Sequence, residues 1–201
     1  MKAPWAKDQI FTPNHNIRPT SLIPAVRLTE DGPVAGNYLW GFLPQRAPSR
    51  DFVREWSTFN ARDDNLTKSR LYSQPFRESR SLVVVSAWFE WPGERGKKKT
   101  LPPCTITPAD QGFFVMAGVW GSWKDPETGT YHDTTTMITT EPNEAIADLP
   151  HHRMPALLPP SAWEAWLNPD TPVGVLQDML HPTPDEWLEI AVGGPKDFQV
   201  E

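Results

Sequence analysis

A small set of polar side chains stands in apolar surroundings, and their types are those that proton transfer and phosphate binding use. They are Glu90 in "WFEW", Asn60 and Arg62 in "FNAR", Thr139 and Thr140 at the end of "TTTMITT", and His151 and Arg153 in "LPHHRMP". Carboxylates and imidazoles exchange protons near neutral pH, and arginines make charge-assisted contacts to phosphates. Each residue alone has an ordinary structural explanation; Arg153, for instance, would serve as the counter-ion of Glu90. Their combination is what points to a common site.

Metal or cofactor chemistry has no recognisable pattern in this sequence. The five histidines lack the spacing of metal ligands, and the single cysteine, Cys104, gives no thiolate cluster. Neither a glycine-rich phosphate loop nor a G-x-S-x-G nucleophile motif occurs. We therefore predict no metal and no cofactor.

Length and composition are those of one globular domain, which we assign to residues 1–201. The chain has 201 residues, of which 38% are hydrophobic, and its mean hydropathy is −0.50. No apolar stretch approaches the roughly 18 residues of a membrane span, so we expect no membrane partner. The amino terminus lacks the apolar segment of a signal peptide, and one cysteine cannot form an internal disulfide. These features favour a cytoplasmic location, and we expect a monomer.

The net charge of −6 hides an uneven distribution. Residues 1–140 carry 17 basic and 14 acidic side chains, whereas residues 141–201 carry 2 basic and 11 acidic ones. Residues 46–80 are locally basic, with Arg46, Arg50, Arg54, Arg62, Lys68, Arg70, Arg77 and Arg80. Because salt screens charges beyond about 10 Å, a basic face on an acidic protein can still bind phosphates. An ordinary solvated surface explains the same charges equally well.

The elements that must position these residues are short strands and short helices. Twenty-three prolines favour turns over long helices. Strands are predicted at 21–28, 36–44, 79–91, 102–108, 112–123 and 131–142, and the stretch 79–91 is expected to be one strand ending in Glu90. Short helices are predicted at 143–150 and 159–168, the second with Ser161 as N-cap and Glu164 completing a capping box. The fold class is α+β: a bent, mostly antiparallel, barrel-like sheet with short flanking helices.

Eight stretches in order resemble the SRAP domain family, the "SOS response-associated peptidase" proteins that recognise abasic sites in single-stranded DNA. They are "HNIRPT" (15–20), "LWGFLP" (39–44), "FNAR" (59–62), "TKSRLY" (67–72), "RSLVVVSAWFEW" (80–91), "FFVMAGVWGSW" (113–123), "TMITTEPNE" (136–144) and "HHRMP" (151–155). No single motif decides the matter, but their order and spacing agree with the family from residue 15 to about 167. The acidic, proline-rich segment 168–201 lies beyond the resemblance.

The resemblance implies a role for each polar residue. Glu90 is expected to be the active-site acid and His151 the active-site imidazole, while Asn60 lies beside the reacting sugar. Thr140 is expected to be a nearby hydroxyl contact. The resemblance further implies that Arg62 and Arg70 bind flanking phosphates and that Pro19 lies in a turn near the DNA. The implied partners are single-stranded DNA and DNA carrying an abasic site.

The sequence departs from the family at the residue that defines its chemistry. Family members have a cysteine at position 2, whose amine and thiol form a thiazolidine with the abasic aldehyde. Here position 2 is Lys2, and Cys104 lies in a predicted core strand. Lys2 or the terminal amine could instead form a Schiff base and cut the strand by β-elimination.

A second departure concerns the aromatic wedge that splits DNA at the lesion. After "WGFLP" the family often has a tryptophan, whereas this chain has Gln45 and Arg46. We expect the wedge at Phe52 or Trp56. Three functions stay open: an abasic-site lyase, a non-catalytic single-stranded-DNA-binding module, and a peptidase or amidase, for which no credible nucleophile is seen.

Overall fold

The structure, a computed structural model, describes residues 14–93, 101–110, 112–149 and 151–196. Its strands in these ranges are β1 (Leu22–Thr29), β2 (Gly32–Trp40), β3 (Asn60–Arg62), β4 (Arg80–Val85), β5 (Trp88–Glu90), β6 (Cys104–Pro108), β7 (Phe114–Lys124), β8 (Tyr131–Thr140), β9 (Met154–Pro155) and β10 (Leu188–Val192). Its α-helices are α1 (Phe52–Glu55), α2 (Ser73–Glu78), α3 (Glu144–Ala147), α4 (Trp163–Leu167) and α5 (Val173–Asp178). Three 3-10 turns are Asp63–Asn65, Pro160–Ala162 and Asp185–Trp187.

The main sheet closes on itself, which makes it barrel-like. Its strand order is β2-β1-β4-β7-β8-β3, with β9 on β8, and β2 also pairs with β8. Leu39 and Trp40 of β2 lie opposite Thr134 and Thr135 in that closing contact. The predicted α+β fold with a bent, mostly antiparallel sheet is confirmed; the β2–β8 and β3–β8 pairs are parallel.

The stretch predicted as one strand over 79–91 is two strands in two sheets, so that prediction is wrong. β4 pairs with β1 and β7 in the barrel, whereas β5 joins β6 and β10 in a separate three-stranded sheet. The chain bends at Ser86 and Ala87, between the two strands. Residue types alone did not reveal the break, because both strands are apolar and rich in β-formers. The bend carries Glu90 out of the barrel wall.

Buried tryptophans, rather than a side-chain N-cap, hold α4 in place. Trp166 of α4 is fully buried, and its indole N–H donates to the Ser81 carbonyl of β4 over 3.0 Å. The predicted N-cap at Ser161 is wrong, because Ser161 lies inside a 3-10 turn and α4 begins at Trp163 without a side-chain cap. Asn143 does cap α3, accepting from the Ile146 amide over 3.0 Å.

Arg80 does not belong to the basic face on which the sequence placed it. Its side chain is buried under α2 and α4, where its guanidinium donates to four backbone carbonyls, those of Phe76, Arg77, Trp166 and Asn168. Burial lowers the pKa of Arg80 from its ordinary value. This arginine is therefore a structural cap shared by two helix ends.

Among the described helices, none is long and apolar enough to cross a membrane.

Candidate functional site

Glu90 and His151 form the central contact of the site. Glu90 ends β5, and its side chain is 16% exposed. His151 lies between α3 and β9, and its Nε2 is 3.0 Å from Oε2 of Glu90. Its Nδ1 is 2.7 Å from the carbonyl oxygen of Arg153, and since a carbonyl only accepts, Nδ1 carries the proton of that bond. A carboxyl and an imidazole in this arrangement can pass a proton between them.

Asn60 and Arg62 reach the site from β3, a strand that the sequence did not predict. β3 runs parallel to β8, with Asn60 opposite Met137 and Arg62 opposite Thr139. Successive strand residues alternate in direction, so the intervening Ala61 is buried while its two neighbours are exposed. This alternation explains why "FNAR" presents its amide and its guanidinium on the same side.

One cleft collects most of the predicted residues. It encloses about 1550 Å³ and is lined by Pro19, Asn60, Arg62, Glu90 and His151, among others. Arg153 and Thr139 also line it. The cleft thus brings together the Glu90 carboxyl, the His151 imidazole, the Asn60 amide and the Arg62 and Arg153 guanidinium groups, which lie far apart in the sequence.

Thr140, the predicted hydroxyl contact, is not among the residues that line this cleft. It is buried, and its hydroxyl donates to Oδ2 of Asp63 over 3.0 Å. The neighbouring Thr139 lines the cleft instead. Adjacent strand residues face opposite sides, so a one-residue difference in register decides which threonine reaches the cleft.

Arg153 pairs with Asp63, so its expected role as counter-ion of Glu90 is wrong. Its Nη2 donates to Oδ1 of Asp63 and to the Thr139 carbonyl, and its Nε lies 3.4 Å from the Thr139 hydroxyl. The side chains of Arg153 and Asp63 are each 19% exposed. Sequence reasoning missed Asp63, although it directly follows the "FNAR" motif.

A shallower hollow adjoins the cleft and shares Asn60 and Arg62 with it. It encloses about 520 Å³ and is lined on one side by Phe52 and Trp56. The Trp56 residue is 69% exposed and stacks on Phe52 with ring centroids 5.8 Å apart. Both wedge candidates therefore lie at one edge of the site, with Trp56 open to a partner.

The two arginines predicted to bind phosphates differ in their surroundings. The Arg62 side chain is 59% exposed and makes a bidentate contact with Asp64, in which Nε donates to Oδ1 over 3.1 Å and Nη2 donates to Oδ2 over 2.5 Å. Hydrogen bonding to Arg62 lowers the pKa of Asp64. Arg70 is exposed but lines neither the cleft nor the adjoining hollow.

Comparison with known proteins decides the family. The family model described as SOS response associated peptidase (SRAP) matches residues 1–192. This chain belongs to the SRAP family. It is 30% identical over 180 residues to the abasic site processing protein YoqW of Bacillus subtilis, covering 89% of this chain and 78% of that protein. It is 29% identical to the abasic site processing protein YoaM of the same organism, covering 95% of this chain and 84% of that protein.

Solved structures agree on the fold. A protein from Bacteroides thetaiotaomicron superposes with a TM-score of 0.73 at 29% identity, covering 89% of this chain and 79% of that one. A phage-related protein from Bordetella bronchiseptica gives a TM-score of 0.68 at 20% identity, covering 94% and 86%. The second likeness concerns the fold alone.

Position 2 of this chain is Lys2, and its single cysteine is Cys104. Lys2 lies outside the described residues. Cys104 lies on β6 directly opposite Glu90 of β5 and is 5% exposed. Burial, together with the negative charge of Glu90, raises the pKa of the Cys104 thiol. A buried thiol that keeps its proton is a poor nucleophile, even beside the acid–base pair.

Among the described residues, no group of three or more His, Cys, Asp or Glu side chains is arranged to hold a metal ion. Two side chains of the cleft are ion-paired: His151 with Glu90, which also lines it, and Arg153 with Asp63. Such pairs suit proton transfer and the binding of anions.

Proposed function

We propose that this SRAP protein binds single-stranded DNA and processes abasic sites in it, with Glu90 and His151 as the acid–base pair. The observation that carries the proposal is the 3.0 Å contact between these side chains inside a cleft that Asn60 also lines. The curated relatives named abasic site processing proteins support the substrate class. We propose that it acts in the cytoplasm as a monomer.

The proposed chemistry is that of an amine with the ring-opened sugar. The amine attacks the C1′ aldehyde, and loss of water gives a Schiff base. Removal of a C2′ proton then expels the 3′ phosphate, which breaks the strand, and water later releases the amine. Glu90 and His151 take up the C2′ proton and supply protons to the departing oxygens. Asn60 is proposed to hydrogen bond to the open sugar.

Two lysines are candidates for the amine. Lys2, or the terminal amine beside it, occupies the place of the family cysteine in sequence. Lys196 lines the cleft and is exposed. A thiazolidine needs an α-amino cysteine, and position 2 here is Lys2, so the proposal includes no adduct of that kind.

Binding is proposed to rest on charge and stacking. Arg62 and Arg70 contact phosphates, Trp56 stacks on a base, and Pro19 lies against the strand. The exposure of Trp56 and Arg62 beside the cleft supports these roles. Contacts of this kind read no base code, so binding is expected to tolerate any sequence.

Binding without chemistry is the second candidate, and the state of Cys104 favours it over a thiol-based reaction. The single thiol of this sequence is buried and its pKa is raised. A thiol peptidase is disfavoured for the same reason. In the non-catalytic form of the proposal, the cleft and the arginines hold abasic DNA and no bond is formed.

Borohydride trapping separates lyase from binder. Protein is mixed with single-stranded DNA carrying one abasic site, with and without borohydride, and products are resolved on denaturing gels. A lyase gives a covalent complex only with reductant and strand cleavage without it. Binding with neither product leaves the non-catalytic form, and an adduct formed without reductant contradicts the proposed chemistry. Lys2→Arg and Lys196→Arg, with peptide mapping of the trapped complex, identify the amine.

Substitution of the acid–base pair tests the residues themselves. Glu90→Gln and His151→Ala are expected to slow cleavage by about 10²-fold while binding persists. His181→Ala is the matched control, because His181 is exposed and does not line the cleft. Equal cleavage by His151→Ala and His181→Ala would contradict the assignment of His151.

A further inference from the structure

We propose that Asp63 and Arg153 act as a positioning pair that fixes the proton arrangement of His151. The pair does so by holding the Arg153 carbonyl, to which the His151 Nδ1–H donates. This inference rests on the proposed function for its kinetic consequences, but its structural core is independent of any activity.

The contacts of the His151 ring decide which of its nitrogens carries a proton. Its Nδ1 lies 2.7 Å from the Arg153 carbonyl oxygen, which cannot donate, so the proton on this side belongs to Nδ1. In a neutral ring Nε2 then carries the lone pair, and Nε2 is the atom 3.0 Å from Glu90. Nε2 is therefore the ring atom that faces the Glu90 carboxyl and can exchange a proton with it. The bond made by one ring nitrogen sets the role of the other.

The side chain of Arg153 anchors the residue whose carbonyl accepts from His151. The Arg153 guanidinium donates to Oδ1 of Asp63 and to the Thr139 carbonyl, and Oδ2 of Asp63 accepts from Thr140. Strand pairing extends the arrangement, with Thr139 opposite Arg62 on β3 and Thr140 opposite Met154 on β9. The residue that orients His151 is thereby tied to β8 and to the 3-10 turn after β3.

The side chains of Asp63 and Arg153 are largely shielded from solvent. At 19% exposure each, the side chains of Asp63 and Arg153 are better shielded than those of Arg62 and Asp64, at 59% and 54%. Shielded charge pairs hold their geometry and resist competition from solvent ions. Two neighbouring Arg–Asp pairs thus have different properties: one is fixed, and the other is open to exchange its carboxylate for a phosphate.

This difference makes Asp63→Asn and Asp64→Asn a matched pair of tests. Each removes one negative charge, so a role limited to phosphate attraction predicts tighter DNA binding in both variants and no other change. A positioning role predicts that Asp63→Asn alone changes His151. Asn can still accept from Arg153 through its amide oxygen, but it loses the ionic part of the contact.

Nitrogen-15 correlation spectra of the His151 ring give the direct measurement. In the unmodified protein, at a pH where the ring is neutral, we expect Nδ1 protonated and Nε2 bare. Asp63→Asn is expected to give a mixture of the two tautomers, Asp64→Asn to leave the spectrum unchanged, and Asp63→Glu to restore a single form. An Nε2–H ring in the unmodified protein, or an unchanged ring in Asp63→Asn, overturns the proposal.

Single-turnover cleavage of abasic DNA supplies the kinetic measurement. We expect Asp63→Asn to lower the cleavage rate about 10- to 100-fold at saturating protein, because small misplacements of a reacting group have effects of that size. DNA affinity should be equal or higher. An unchanged rate with an altered tautomer overturns the kinetic part. If the unmodified protein cuts no strand, the lyase form of the proposed function fails, and the spectra still decide whether the pair positions His151.

Discussion

The replacement of Arg80 by methionine tests how the strand that leads toward Glu90 is held under its helices. The guanidinium of Arg80 donates to the carbonyls of Trp166 at 2.5 Å, Asn168 at 2.6 Å and Phe76 at 2.8 Å, and also to that of Arg77. Arg80→Met keeps an apolar stem of similar length and removes all four bonds. The carbonyls at the ends of α2 and α4 then lose their shared donor.

The expected loss follows from these contacts. A hydrogen bond from a charged donor contributes about 1.5–3 kcal/mol, but four bonds from one group do not add. Desolvation of the guanidinium, which lowers the pKa of Arg80, is relieved in the variant and offsets part of the loss. We expect the free energy of unfolding to fall by about 2–4 kcal/mol, which corresponds to a decrease in Tm of about 10 °C.

Urea denaturation followed by tryptophan fluorescence measures this change. The midpoint should fall while the slope stays constant, which marks a change in stability without a change in the surface exposed on unfolding. Arg77→Met is the matched control, because Arg77 is exposed and its one side-chain bond, to Ser73, is 3.5 Å long. The control should stay within about 0.5 kcal/mol of the unmodified protein. A loss below about 1 kcal/mol in Arg80→Met would refute the capping role.

Three further predictions concern binding, packing and the buried thiol. Replacing Arg62 and Arg70 together by alanine should weaken binding of single-stranded DNA and flatten the plot of log affinity against log salt by about 0.7 for each lost contact, and an unchanged slope would count against both assignments. Gly41→Ala should destabilise the protein by about 2 kcal/mol or more in the same urea assay, because φ is +137° there and an added Cβ would lie 2.2 Å from a Val53 methyl. Gly129→Ala is the comparison for backbone strain alone, because φ is +72° there and an added Cβ would meet open space. The pKa of Cys104 is raised in the folded state, so its contribution to stability is present below about pH 9 and is lost as the pH rises toward the folded-state pKa. The difference in unfolding free energy between the unmodified protein and Cys104→Ala should therefore shrink between about pH 8 and 10. A pH-independent difference would contradict the raised pKa.

Local sequence patterns predicted the elements whose residues decide them locally. The strand predicted at 21–28 corresponds to β1, the strand predicted at 36–44 overlaps β2, and the short helix predicted at 143–150 contains α3, because residue types within a few positions decide these elements. The N-cap at Ser161 failed because burial of Trp163 and Trp166 outweighs a capping box worth about 1 kcal/mol. The break between β4 and β5 was missed because pairing with distant strands, which the local sequence does not encode, divides one apolar run.

By itself, the sequence determined the family, because eight ordered motifs resemble the SRAP domain, and it supplied the carboxyl, imidazole and amide groups that line the cleft. Tertiary structure alone decided which of these residues touch. The contact of Glu90 with His151, the choice of Thr139 over Thr140, and the pairing of Arg153 with Asp63 each join segments far apart in the chain. These contacts depend on strand pairing, of β5 with β6 for Glu90 and of β8 with β3 and β9 for the two threonines, and a shift of one residue in register would turn Glu90, Thr139 or Thr140 to the opposite face.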